Sequence, residues 1–221
     1  MDLVIINCSP RTVSKSNTER IIKNFREGFE KEGGTSRVYH LSERKTWDEI
    51  RDSFYKSDNV LLAMPLFVEC VPGILMEFLE SIEKENYGEG KKLSFLVQGG
   101  FPEASQLRCC EEYLEILPGY LNCLYGGTLI KGGMFTLCFM GEDTQKKIAA
   151  PFIEMGKNFA NQGYFDKEKV TDFAGPEYFR KSFGIKFNLV FPLQKLMFKS
   201  MAKKLGCSES LGAKPYKKYI K

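Results

Sequence analysis

The chain has 221 residues, 43% of them hydrophobic and 27% charged, enough for one domain with a large core and an appendage. No apolar run approaches the roughly 20 residues that cross a bilayer. A strand pattern begins directly after Met1-Asp2, with no basic leader or signal-type apolar core, so an intracellular, cytoplasmic protein is expected.

Strand and helix patterns alternate from there on. Leu3–Asn7 is an apolar strand. Thr18–Glu32 is a helix with Ile21, Ile22, Phe25 and Phe29 as its apolar residues, closed by Gly33-Gly34. Ser36–Leu41 is a short strand, and Thr46–Lys56 is a helix with Trp47, Ile50 and Phe54 on one face. Asn59–Met64 is a strand ending at Pro65. Val71–Lys84 follows as a helix, with Ile74, Leu75, Phe78 and Ile82 at helical spacing. Leu93–Gln98 is a strand that runs into Gly99-Gly100, and Ala104–Leu117 is a helix stopped by Pro118-Gly119. Leu124–Leu129 is a fifth strand beside Gly126-Gly127. Thr144–Gln162 is a helix striped by Ile148, Phe152, Met155 and Phe159.

The strands are short and mostly uninterrupted by polar residues, as in a parallel sheet covered on both faces. The expected fold class is therefore α/β: a doubly wound, five-stranded parallel sheet with helices on both faces over residues 1–165, followed by a mainly helical extension over 166–221. Such sheets take ligands outside the carboxyl ends of their strands. That points to the loops at 8–18, 65–70 and 98–102.

The first of these loops has the chemistry of an anion site. It joins a strand to a helix N-terminus, where unpaired amides and a partial positive charge can hold a phosphate. Ser9, Ser16 and Thr18 add hydroxyls, and Arg11 adds a fixed cation. Ser and Thr are also ordinary helix caps, so these residues alone fit a capped helix and a phosphate site equally well.

Other chemistries have little support. The seven cysteines are odd in number and form no C-x-x-C pair, so idle cytosolic thiols and no metal site are expected. One histidine, His40, stands at a strand end and reads as structural, which leaves Ser–His and Cys–His nucleophile chemistry without a base.

Three segments carry a family resemblance. Asn7-Cys8-Ser9-Pro10-Arg11 with Ser16-Asn17-Thr18 resembles the Gly-Ser-Pro-Arg…Gly-Asn-Thr phosphate loop of flavodoxin-like, NAD(P)H-dependent FMN reductases. Met64-Pro65-Leu66-Phe67-Val68, followed by Val71-Pro72-Gly73, resembles their Thr-Pro-Leu-Tyr segment and the helix after it. Gln98-Gly99-Gly100-Phe101 stands where the family has a glycine-containing loop along the flavin ring. The match spans roughly residues 1–160 in the family's order.

The resemblance implies FMN as cofactor and NAD(P)H as reductant. Ser9, Arg11, Ser16, Asn17 and Thr18 would cradle the phosphate; Pro65, Leu66, Phe67 and Val68 would form one wall for the ring. Gly99 and Gly100 would allow close backbone approach, and Phe101 would stack or cover. A homodimer is also expected. The chain departs from the family pattern at Cys8 and Ser16, where the family has glycine, and at Phe67, where it has tyrosine. A compact cysteine cluster like that of the iron–sulfur relatives is missing after the second loop, which has only Cys70.

The net charge of +4 is unevenly spread. Residues 166–221 hold 13 Lys and Arg against 5 Asp and Glu; the rest of the chain holds 19 against 23. Within that segment, Phe183, Phe187, Val190, Met197, Met201 and Leu205 recur at helical spacing among lysines. Residues 183–205 thus suit packing on their own domain, covering a second subunit's flavin, or contact with a membrane or another protein. Nucleic acid is not expected, because Arg is scarce there and no recognition module is visible.

The functional expectation is an FMN-dependent oxidoreductase passing hydride from NAD(P)H through FMN to a small-molecule or protein acceptor. Two alternatives stand beside it: a flavodoxin-like binding module with a weak or lost flavin site, and a flavodoxin-type electron carrier.

Overall fold

Five parallel strands form one sheet: β1 (Asp2–Asn7), β2 (Thr35–His40), β3 (Asn59–Pro65), β4 (Lys92–Gln98) and β5 (Leu124–Lys131). Their order is β2-β1-β3-β4-β5, the flavodoxin-like arrangement, whose direction reverses between β1 and β3. The computed structural model describes residues 1–83, 90–179, 195–196, 198–204, 206–207, 214 and 216. Beyond its first residue, every position of β1, β3 and β4 is buried, while β2 at the sheet's edge alternates exposed and half-buried positions at its start. That contrast is what a sheet covered on both faces produces.

Helices α1 (Asn17–Lys31), α2 (Trp47–Lys56), α3 (Gly73–Glu80) and α4 (Ser105–Tyr120) connect successive strands. Right-handed crossovers place α1 on one face and α2, α3 and α4 on the other. Trp47 of α2 meets Phe78 of α3 edge to face at 5.7 Å. On the opposite face Phe25 and Phe29 of α1 pack against Phe159. This is a residue of α6 (Pro151–Gln162), the helix that follows α5 (Glu142–Ala149). The approach of α1 and α6 is close enough to need glycine. A Cβ at Gly28 would lie 1.8 Å from the Ile153 carbonyl oxygen, and one at Gly156 would lie 2.0 Å from that of Phe25.

The structure corrects the sequence reading at three elements. The helix expected over Val71–Lys84 covers Gly73–Glu80, and Lys84 lies outside the described residues. Helix α4 does not stop at Pro118 but runs through it to Tyr120. The helix closes just beyond the proline, where the Leu121 and Cys123 amides donate to the Pro118 carbonyl at 3.0 and 2.9 Å. The chain turns at Asn122, which takes φ 54. The single helix expected over Thr144–Gln162 is two, divided at Ala150-Pro151, with Pro151 in the first turn where its missing N–H is not needed. The apolar stripe survives the break, since Phe152, Met155 and Phe159 are all buried.

Helix α7 (Lys167–Ala174) lies in the segment expected to be a mainly helical extension. It is capped by Asp166, whose Oδ1 accepts the Lys169 N–H at 3.0 Å. The Phe165 N–H donates to the Gly126 carbonyl at 2.8 Å, and Lys131 Nζ donates to the Phe173 carbonyl at 2.5 Å. Helix α7 and its approach thereby cover the outer edge of β5, an edge that would otherwise expose unpaired backbone groups.

Met1–Tyr178 forms one compact unit and Phe179–Lys221 a second. The expected division at residue 165 falls inside the first unit, ahead of α7. Residues 195–196 and 198–204 are helical; most of the segment from Phe183 to Leu205, where apolar residues recur at helical spacing, lies outside the described residues. Among the described residues no helix is long and apolar enough to cross a membrane.

Candidate functional site

At the carboxyl ends of β1, β3, β4 and β5, four loops border a cleft of about 190 Å³ at the point where strand order reverses. Its lining comes from Ser9, Arg11, Asn17, Pro65, Leu66, Phe67, Gln98, Gly100 and Phe135.

The loop after β1 turns through its own side chains. The Ser9 N–H donates to Asn7 Oδ1 at 3.0 Å, and the Arg11 N–H donates to Ser9 Oγ at 3.3 Å. Ser9 is thereby buried and fixed, while Arg11 is exposed at the mouth of the cleft. Ser16 caps α1: its Oγ accepts the Glu19 N–H at 3.2 Å. Its carbonyl is held by Arg20 Nη1 at 2.8 Å. Helix geometry leaves the amides of Asn17 and Thr18 without intrahelical acceptors, at the positive end of the α1 dipole.

Asn17 ties this helix start to the far side of the cleft. Its Nδ2 donates to the Met134 carbonyl at 2.8 Å and to the Phe135 carbonyl at 3.2 Å. Its Oδ1 is buried with no hydrogen-bond partner among the described residues. A buried acceptor left open costs about 1–3 kcal/mol, and it belongs to a residue that lines the cleft.

The two positions with side chains in place of the family's glycine do not narrow the cleft. Cys8 is fully buried in the core, with its Sγ donating to the Ile6 carbonyl at 3.3 Å, and burial pushes its thiol far above the ordinary range. Ser16 keeps φ −83, which any residue adopts, and serves as the helix cap.

The loop after β3 supplies an apolar wall. The Leu66 N–H donates to the Gln98 carbonyl at 2.8 Å, extending the β3–β4 ladder. Phe67 and Cys70 then exchange backbone bonds of 3.0 and 3.1 Å around a two-residue turn. In that turn Val68 has φ 48 and Glu69 φ 63. A β-branched residue at positive φ is strained, a feature that clusters at ligand sites.

The loop after β4 is held by the one after β5. The Gly99 N–H donates to the Lys131 carbonyl, and the Gly99 carbonyl accepts the Met134 N–H, both at 2.9 Å. A Cβ on Gly99 would meet Leu107 at 3.4 Å, away from the cleft; one on Gly100 would meet Phe135 at 3.5 Å.

Of the residues expected at the site, Ser9, Arg11, Asn17, Pro65, Leu66, Phe67 and Gly100 come together in the cleft lining. Ser16, Thr18, Val68, Gly99 and Phe101 do not line it. Ser16 caps α1, and Thr18 Oγ1 faces Gln98 Nε2 at 3.5 Å. Val68 is 98% exposed and Phe101 71% exposed. Gln98 and Phe135 line the cleft without having been singled out as site residues. Phe135 follows Gly132-Gly133 beyond the carboxyl end of a parallel strand, and the rule that picked the other three loops applies equally there.

Behind the first loop lies an acid–base pair. Glu19 Oε2 accepts Asn7 Nδ2 at 2.9 Å and contacts His40 Nε2 at 2.8 Å. Burial opposes the charge on Glu19, but the hydrogen bonds from His40 and Asn7 outweigh it and hold its carboxyl below the ordinary range. The bond to Glu19 outweighs partial burial at His40 and raises the imidazole above its usual value.

Comparison with known proteins gives fold neighbours that include several reductases. An NADPH-quinone reductase from P. pentosaceus matches at a TM-score of 0.55 and 17% identity, over 72% of this chain and 99% of that one. An FMN-dependent NADH-azoreductase from Bacillus anthracis, solved in complex with FMN, matches at 0.55 and 14%, over 73% of this chain and 100% of that one. An NAD(P)H:quinone oxidoreductase from Methanothermobacter marburgensis matches at 0.55 and 18%, over 72% and 96%. No family model matches the chain, and no curated protein matches it. The fold is thus flavodoxin-like, and at these identities the likeness is one of fold.

Proposed function

We propose that the chain is an FMN-dependent oxidoreductase acting between NAD(P)H and a small-molecule or protein electron acceptor. The observation that carries this reading is the convergence, in one cleft, of an anion cradle, an apolar wall and an open buried acceptor. Ser9 Oγ, the Arg11 guanidinium and the free amides at the start of α1 suit a phosphate dianion. Asn17 Oδ1 suits a hydroxyl donor, which a ribityl chain has and a bare phosphate ester lacks. Pro65, Leu66 and Phe67 offer a flat apolar surface to a ring system, with Gly100 and Phe135 across from it.

Bound FMN would supply the redox chemistry, with hydride taken in and electrons given out, so the site needs no nucleophile or base of its own. The reductases with which the chain shares its fold act on quinones and azo compounds, and acceptors of that class are proposed. A homodimer is proposed as well. Tyr113, Ile116 and Tyr120 stand exposed on one stripe of α4, an apolar surface that a second copy could cover.

Absorption spectra before and after denaturation test the flavin reading, together with titration of FMN into protein stripped of ligand. A flavin spectrum, or saturable binding, is expected, followed by steady NAD(P)H oxidation with a quinone acceptor. A colourless protein that takes up no FMN would refute it.

A further inference from the structure

Ser16-Asn17-Thr18-Glu19 opens α1 with the spacing of a capping box, in which the fourth residue's carboxylate usually returns to the cap's own amide. Here only half of the box forms. Ser16 Oγ takes the Glu19 amide, but the Ser16 N–H goes to the Val13 carbonyl at 3.3 Å. The Glu19 carboxylate turns the other way, into the sheet, where a single oxygen serves Asn7 and His40 together.

Sheet register makes this convergence possible. Asn7 and His40 are partners at the carboxyl ends of β1 and β2, so their side chains leave the sheet on the same face, and α1 begins over that face. The far end of the same Asn7 carboxamide accepts the Ser9 N–H, and Ser9 Oγ accepts the Arg11 N–H. An unbroken chain of hydrogen bonds thus runs from His40 through Glu19, Asn7 and Ser9 to Arg11. The charged groups acting on the pair are Arg26 from α1 and Glu43 from the segment after β2.

We propose that Glu19, held by His40, is a positioning residue: it orients the Asn7 carboxamide so that the loop after β1 is set for a phosphate group. The amide of Asn7 could otherwise flip and present its NH₂ to the Ser9 N–H, which would break the turn. The carboxylate forbids that flip, because only NH₂ can donate to it. His40 also sets the charge behind the loop. While the imidazole is protonated the pair is neutral overall; once it loses its proton, a net negative charge faces the phosphate site.

The phosphate arm of this inference rests on the flavin reading above, and the experiment separates the two. In apo protein, the Ser9 backbone amide resonance is expected to follow the His40 titration, and to lose that dependence in His40→Gln, which keeps a donor but cannot titrate. This readout needs no flavin. A Ser9 amide that is flat across the His40 titration in the unsubstituted protein overturns the proposal.

The second arm compares FMN with riboflavin, which lacks the phosphate. FMN affinity is expected to fall by about threefold as His40 deprotonates, a modest factor because the charge acts through a loop and is partly screened. His40→Gln should lack that fall, and riboflavin should not show it. Glu19→Gln should weaken FMN by about tenfold, the scale of one charge-assisted hydrogen bond, while thermal melts check that it remains folded. Glu19→Gln that is folded and binds FMN undiminished overturns the proposal. Should the protein bind no flavin at all, the functional reading fails, and the Ser9 amide alone decides the positioning role.

Discussion

Arg11 is the exposed cation at the mouth of the cleft and forms no ion pair among the described residues. Its guanidinium is therefore free to meet a phosphate without first breaking a contact of its own. Arg11→Ala is predicted to weaken FMN binding by about tenfold, roughly 1.4 kcal/mol, and to leave riboflavin binding and melting temperature as they were. Equal losses for both ligands, measured by fluorescence titration, would place Arg11 away from the phosphate.

The His40–Glu19 pair makes a second prediction at this scale. His40 is raised in the folded protein, so its contribution is fully present below its ordinary value of 6.5 and is lost as pH rises through the folded value. Glu19 is lowered, so its contribution is present above its ordinary value of 4.5 and is lost as pH falls through the folded value. The stability gap between the unsubstituted protein and His40→Ala should be widest between those two ordinary values and should close toward alkaline pH. Denaturant melts across that range measure it; a gap that grows with rising pH contradicts the ion pair.

Elements in this protein are joined by contacts that depend on single atoms. The meeting of α1 with α6 leaves no room for a methyl group at Gly28 or Gly156, since the atoms in the way are backbone carbonyl oxygens that cannot swing aside. Gly28→Ala and Gly156→Ala are each predicted to destabilise the fold by about 3 kcal/mol despite the better helix propensity of alanine. A loss under about 0.5 kcal/mol in urea melts would mean that the helices can part cheaply. Two lysines close helix ends in a related way. Lys91 Nζ donates to the carbonyl of Phe54 at 2.6 Å and to that of Tyr55 at 3.1 Å, at the end of α2, and Lys131 does the same for Phe173 of α7. Burial lowers both lysines, although each ammonium group donates to backbone carbonyl oxygen.

At the scale of the whole molecule, a ligand held by loops from β1, β3, β4 and β5 links both sides of the sheet's switch point, and should stabilise the unit Met1–Tyr178 as one body. FMN at a hundred times its dissociation constant is predicted to add about 2.7 kcal/mol, and so to raise Tm by about 5–10 °C for a unit of this size. Scanning calorimetry with FMN and with adenosine monophosphate distinguishes a flavin site from a general anion site, because the nucleotide brings the phosphate without the flavin ring. An equal rise with both would count against the ring-binding wall.

The sequence by itself determined the alternation of strands and helices, the parallel sheet and three of the four loops that border the cleft. Those follow from local periodicity and from turn residues such as Gly33-Gly34, which act over a few positions. It misjudged Pro118 and Pro151, because whether a proline ends a helix depends on which turn it occupies and on where the neighbouring amides find acceptors. It kept Ser16 and Thr18 as ligand groups because type and spacing do not say which way a hydroxyl points; in the folded chain one caps a helix and the other faces Gln98. Only tertiary structure brought Phe135 to Asn17, sent the Cys8 thiol into the core, and joined His40 to Glu19 across the β1–β2 register. The first and last of these are contacts between residues far apart in the chain, set by how strands align and how closely helices approach, and no local pattern encodes that distance.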